Sequence, residues 1–139
     1  MTEPDQELLR SRGLRVTQPR LAVLAVLDRL PHADAEGVHR ALAEQGAETS
    51  VQSVHNVLGD LTAAGIVRRF EPARSAARYE RRIGDNHHHA VCSSCGRVDD
   101  VDCIVGEAPC MHADAPAGFT VQAAEVTFVG LCAACAAAA

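Results

Sequence analysis

Leu21, Leu24, Val26, Leu27 and Leu30 give one stretch of the chain a nearly all-round apolar surface, which predicts a helix buried on several sides. Thr17 or Gln18 can cap it, and Pro19 suits its first turn, where the missing amide would have no partner. Upstream, Leu8 and Leu9 mark a short first helix within Asp5 to Ser11. Downstream, Asp34 caps a third helix, Ala35 to Gln45, with Val38, Ala41 and Leu42 on one face and Gly46 as its stop. Thr49 or Ser50 opens a fourth, carrying Val51, Val54, Val57, Leu58 and Leu61 at three- and four-residue spacing up to Gly65. Ile66 to Glu71 and Ala77 to Arg81 then read as strands about the turn Pro72-Ala73-Arg74-Ser75. Further on, Ala90-Val91, Val98 to Val101 and Thr120 to Leu131 are strand-like, with a helix expected over Ile104 to Ala113.

Helices followed by a hairpin describe a winged helix-turn-helix, in which the helix from Ser50 to Ala64 enters the major groove and the hairpin approaches a phosphate backbone. A small helical bundle with an appended hairpin has the same periodicity. Residue chemistry favours the first reading: Ser50, Gln52, Ser53 and Asn56 face away from the valines and can hydrogen-bond base edges or phosphates. Arg68, Arg69, Arg74 and Arg78 fall on the hairpin, and Arg12, Arg15 and Arg20 on the opening segment. Any one of these arginines alone reads equally as solvated surface.

Charge divides the chain. The net charge is −5, yet the residues through Ile83 hold 12 Arg against 11 acids, and those from Gly84 onward one Arg against 7 acids; there is no lysine. All six cysteines and four of the seven histidines lie in the acidic part. The expected organisation is a winged-helix DNA-binding domain over 1–83 and a small α/β dimerisation and metal-binding domain over 84–139, an α+β protein overall. Units this small usually need a metal or a dimer interface for stability. No apolar run approaches the ~20 residues that span a bilayer, and no signal peptide is evident, so the cytoplasm is the expected location and no membrane partner is implied.

Cys92-Ser93-Ser94-Cys95-Gly96 and Cys132-Ala133-Ala134-Cys135 are paired C-x-x-C motifs. The two-residue gap lets both sulfurs of a pair reach one ion, Gly96 frees the turn, and two pairs complete a four-sulfur structural Zn2+ site. Two redox C-x-x-C motifs are the alternative, but neither precedes a helix in a βαβ setting. In His87-His88-His89 on a strand, the first and third rings share a face; with Glu80, Asp85, Asp99 and Asp100 nearby they suit a divalent transition metal, although such a run also occurs in solvated turns. Cys103 and Cys110 lie outside the zinc pairs, as buried thiols or as candidate redox thiols. The surrounding acids, Asp99, Asp100, Asp102 and Glu107, disfavour a thiolate there.

Several motifs extend over nearly the whole chain: Leu14-Arg15-Val16-Thr17-Gln18-Pro19-Arg20, Pro31-His32-Ala33-Asp34, Val54-His55-Asn56-Val57-Leu58, Arg78-Tyr79-Glu80, the run from His87 to Gly96 and the closing cysteine pair. Their order resembles the ferric uptake regulator family. The segment Gly84 to His89, with Asp102 to Cys110, is most similar to the actinobacterial branch encoded beside catalase-peroxidases. The resemblance implies a homodimeric, metal-dependent repressor of antioxidant genes that binds a palindromic double-stranded DNA operator. It implies a regulatory Fe2+ or Mn2+ at the hinge between the halves, with Zn2+ or Ni2+ as substitutes, held by His32, Glu80, His87, His89 and Asp100. The DNA-contacting set becomes Arg15, Thr17, Arg20, Ser50, Gln52, Ser53, His55, Asn56 and Arg69.

Asp100 implies peroxide sensing through oxidation of the ligand His32 or His87, since Glu is more usual there in iron-level sensors; iron-level sensing is the alternative. His55-Asn56 stand where many members have Tyr-Arg, so the operator cannot be copied across. An additional metal site of the family would use a His or acid where this chain has Ala124, leaving His88 with Glu107, and Glu125 one position away. An enzyme is not expected. A zinc deaminase would need His-x-Glu and Pro-Cys-x-x-Cys motifs with an open fourth position, and no phosphate loop or nucleophile elbow occurs. A zinc-ribbon module binding protein would leave the winged helix and the His/acid cluster unused.

Overall fold

The computed structural model describes residues 3–81, 87–102, 115–122 and 124–138. The chain divides into two compact units, Met1–Ile83 and Gly84–Ala139.

The first unit contains α1 (Glu3–Ser11), α2 (Gln18–Arg29), α3 (Ala35–Glu44), α4 (Val51–Ala63), β1 (Arg68–Phe70) and β2 (Arg78–Glu80). Each of the last three helices opens on the side chain its sequence offers. Thr17 accepts from the Arg20 amide, Asp34 from Gly37 and Ser50 from Ser53, at 3.4, 2.7 and 3.0 Å. Such caps contribute about 1 kcal/mol each. The core is aliphatic: Leu9, Leu24, Val26, Val38, Leu58 and Leu61 are all fully buried.

Two residues depart from the apolar pattern. Leu30 lies past the end of α2 and is exposed, and Val51 leads α4 on its solvent side. The hairpin is shorter than the apolar run suggested, because Ile66 and Val67 are used otherwise. Both of their amides donate to the Leu61 carbonyl, closing the end of α4 after Gly65 takes φ +72°. β1 and β2 pair antiparallel, with Arg68 opposite Glu80 and Arg69 opposite Tyr79.

The second unit contains β3 (His87–Cys92), β4 (Val98–Asp102), β5 (Thr127–Gly130) and α5 (Ala133–Ala138), with strand order β4-β3-β5. β3 runs antiparallel to β4 and parallel to β5. The strand expected over Thr120 to Leu131 is confined to β5. α5 was not expected; its alanines favour a helix. The helix expected over Ile104 to Ala113 lies outside the described residues, as do Cys103, Cys110, Asp85 and Glu107.

Candidate metal centres and nucleic-acid face

Cys92 ends β3 and its amide donates to the Arg97 carbonyl at 2.8 Å, so the first C-x-x-C is folded into the β3–β4 turn. Gly96 takes φ +79°, a conformation open to glycine, and the Cys95 amide points at Cys92 Sγ from 3.5 Å. The second pair is carried by the residue before α5 and by α5 itself. The second pair thus leads into a short helix, but no strand follows α5 among the described residues, so it is not in a βαβ setting. The four sulfurs of Cys92, Cys95, Cys132 and Cys135 lie within 4.8 Å of one another. Cys95 and Cys132 are 3.8 Å apart, which is about the edge of a tetrahedron with 2.3 Å metal–sulfur bonds. The donor set therefore fits Zn2+.

Charge is spread unevenly over this cluster. Backbone amides of Cys132 and then Cys95 pull the Cys92 thiol down to about 6. Cys135 is pushed up to about 12: the Ser94 hydroxyl acts to lower it, but the sulfurs of Cys132, Cys92 and Cys95 together outweigh that contact.

The register of β3 on β4 arranges the histidines. His87 faces Asp102 and His89 faces Asp100, so these four side chains share one face of the sheet, with His88 on the other. Nε2 of both His87 and His89 stands 3.6 Å from Asp100 Oδ1, and the two rings are 5.0 Å apart; both histidines are buried. Three of the five expected regulatory ligands are thus adjacent within the second unit. Asp102 was missed as a member of this face, although its two-residue spacing from Asp100 was the available signal.

The other two are adjacent within the first unit. The Pro31–Asp34 segment is pinned alongside β2, where the Tyr79 amide donates to the Ala33 carbonyl at 3.0 Å and Arg78 to the His32 carbonyl at 3.2 Å. Residues far apart in sequence thereby meet: His32 Nε2 lies 3.5 Å from Glu80 Oε2, and its ring packs edge-on against Phe70. Glu80 is 1% exposed, and its other oxygen faces Arg68 at 3.8 Å. Arg68, grouped with the wing's DNA-facing arginines from sequence, instead stands by this carboxylate.

On α4, Ser50, Gln52, Ser53, His55 and Asn56 are all exposed. Ser50 is also the cap, and Gln52 donates to Asn56 at 3.0 Å. Arg15 is exposed and Thr17 is spent as a cap. Arg20 and Arg69 have acidic partners within the unit, Asp60 and Glu71 respectively. Arg74 is at the exposed tip of the wing, with φ 60°. For the additional site, His88 is buried on β3 and Glu125 is exposed, while Glu107 lies outside the described residues. Among the described residues no helix is long and apolar enough to cross a membrane.

A model of the family described as "Ferric uptake regulator family" matches residues 11–128. The chain is 53% identical over 129 residues to a protein named Transcriptional regulator FurA from Mycobacterium tuberculosis, covering 93% of this chain and 88% of that protein. Its fold matches the ferric uptake regulator from Pseudomonas aeruginosa, solved with manganese, with TM-score 0.76 and 30% identity over 93% of this chain and 98% of that one. A structure of PerR from Streptococcus pyogenes, described as a basis for peroxide sensing and gene regulation, matches with TM-score 0.52 and 26% identity, covering 96% and 91% of the two chains.

Proposed function

Because the chain belongs to the ferric uptake regulator family, a family of metal-dependent transcriptional regulators and not of enzymes, we propose that it is a peroxide-sensing cytoplasmic repressor of antioxidant, catalase-type genes. It acts as a homodimer on a palindromic DNA operator. In this reading Cys92, Cys95, Cys132 and Cys135 hold a structural Zn2+. His32 and Glu80 from the first unit, with His87, His89 and Asp100 from the second, hold the regulatory Fe2+ or Mn2+, for which Zn2+ or Ni2+ can substitute. Ligands drawn from both units make metal binding a constraint on how the units are oriented, and hence on the spacing of two α4 helices in a dimer.

The observation that carries the reading is the pair of buried imidazoles, His87 and His89, each 3.6 Å from Asp100. Nitrogen and oxygen donors of this kind suit Fe2+ or Mn2+ better than a four-sulfur site does. Bound Fe2+ would supply the redox chemistry that cleaves the O–O bond of peroxide; overall, peroxide would act as the two-electron oxidant, giving one oxygen atom to a nearby imidazole and leaving the other as water. His32 and His87 are the rings at stake, and a ring that has gained oxygen no longer orders the site.

A gel shift on the gene's own promoter with Fe2+ or Mn2+, before and after peroxide, tests this. Loss of binding confined to the Fe2+ sample is expected, with an added oxygen on His32 or His87 by mass spectrometry. Asp100→Glu should retain metal-dependent binding and lose peroxide sensitivity. Binding that follows metal level and survives peroxide would instead establish iron-level sensing, the second reading. The name of another relative, Ferric uptake regulation protein 1 from Mycolicibacterium fortuitum, favours it.

A further inference from the structure

Arg20 is one of the arginines the sequence assigns to DNA, yet its guanidinium is already committed within the first unit. One of its terminal nitrogens donates to the Arg15 carbonyl at 2.7 Å, the other to Asp60 Oδ2 at 3.1 Å. Its side chain is 17% exposed, against 54% for Asp60. Asp60 lies seven residues beyond Ser53 on α4, about two turns from the helix's polar end.

α2 and α4 meet in the shared core, where Leu21, Leu24, Leu58 and Leu61 are buried, and the Arg20–Asp60 pair adds a polar contact between the same two helices. An open cleft of about 310 Å3 lies beside that core, lined by Gln18, Pro19 and Ala22 of α2, Leu42 of α3, and Ser53 and Val57 of α4. Arg20 to Asp60 ties α2 to α4 outside the core. Arg12, donating to the Ala64 carbonyl at 3.2 Å, braces the far end of α4.

We infer that Arg20 is a positioning residue, which with Asp60 and the Arg15 carbonyl sets the angle at which α4 is presented to DNA and does not itself neutralise a phosphate. Two of its five N–H donors are committed to these acceptors, and the Asp60 carboxylate beside it offsets its charge, which weakens its pull on a phosphate. The inference rests on the DNA-binding reading above.

The test compares Arg20→Gln, Asp60→Asn and the double variant of the full-length, Mn2+-loaded protein. Affinity for promoter DNA and for unrelated duplex is measured over a range of salt. Asp60→Asn keeps side-chain shape and Arg20→Gln keeps the stem to Cδ while removing the charge, and thermal unfolding, which a surface ion pair barely moves, shows that folded proteins are compared. Each single variant should weaken promoter binding about fivefold. The double variant should be no weaker than either, and the salt slope and binding to unrelated DNA should stay as in wild type. A salt slope reduced by about 0.9 in Arg20→Gln, together with tighter binding by Asp60→Asn, would overturn the inference by making Arg20 a phosphate contact. Promoter affinity unchanged in both single variants would overturn it too. Wild-type protein that binds no promoter DNA with Fe2+ or Mn2+ would remove the function reading, and this inference with it.

Discussion

Cys92 and Cys135 belong to one cluster of four sulfurs but release their protons at about 6 and about 12. At neutral pH the first is already a thiolate and the second still holds a proton that a metal must expel. Zn2+ affinity should therefore rise with pH throughout the interval between those values, by about tenfold per pH unit for each proton released. Below about 6 it should fall more steeply, because Cys92 then also has to be deprotonated. Competition with a chromophoric chelator across neutral pH measures this, and an affinity independent of pH would refute the assignment. A carboxylate poses the opposite problem at Glu80. Buried to 1% exposure, it is compensated by Arg68 and faced by His32. A divalent ion at the same carboxylate would have to compete with Arg68 for it.

At the scale of elements, the cap of α3 also terminates the segment that carries His32. Asp34 accepts from the Gly37 amide at 2.7 Å and its backbone bridges to Arg78 of β2. Asp34→Ala should cost about 1 kcal/mol, and lower the Tm by about 4–8 °C for a unit of this size. Thermal unfolding followed by circular dichroism checks it, and an unchanged Tm would show that the cap contributes nothing. The helices were legible in the sequence because their caps and 3.6-residue periodicity are local signals. Strand lengths were not. Ile66 and Val67 look like strand residues, but their amides close α4, and β5 retains only Thr127 to Gly130 of a longer apolar stretch. The pairing of His87 and His89 on one face followed from strand periodicity. The meeting of His32 with Glu80 did not, since a β-bridge between distant segments makes it; only the family resemblance pointed there. Nor could sequence show that Arg20 and Arg69 have acidic partners.

For the whole molecule, the second unit exposes more apolar surface than a free-standing monomer usually does. Phe119, Phe128, Val129 and Leu131 are 66%, 52%, 67% and 51% exposed, three of them on or beside the edge strand β5. A homodimer that covers β5 would account for this and would give the twofold symmetry that the proposed palindromic operator requires. Val129→Arg should halve the mass seen by light scattering and weaken promoter binding at low protein concentration. A variant that stays dimeric would place the dimer interface elsewhere.

β3 carries His87 and His89 toward one end and closes at the other on Cys92, which is folded into the sulfur cluster. A strand displaced by a single residue against its neighbours turns every side chain to the opposite face. Such a slip would bring His88 to the face of Asp100 and send His87 and His89 away from it. A Zn2+ held by Cys92 and the other three sulfurs would favour one alignment of the strand. In the proposed reading the zinc cluster would act as an index stop, and loss of its sulfurs would misalign the two imidazoles before it unfolded the protein.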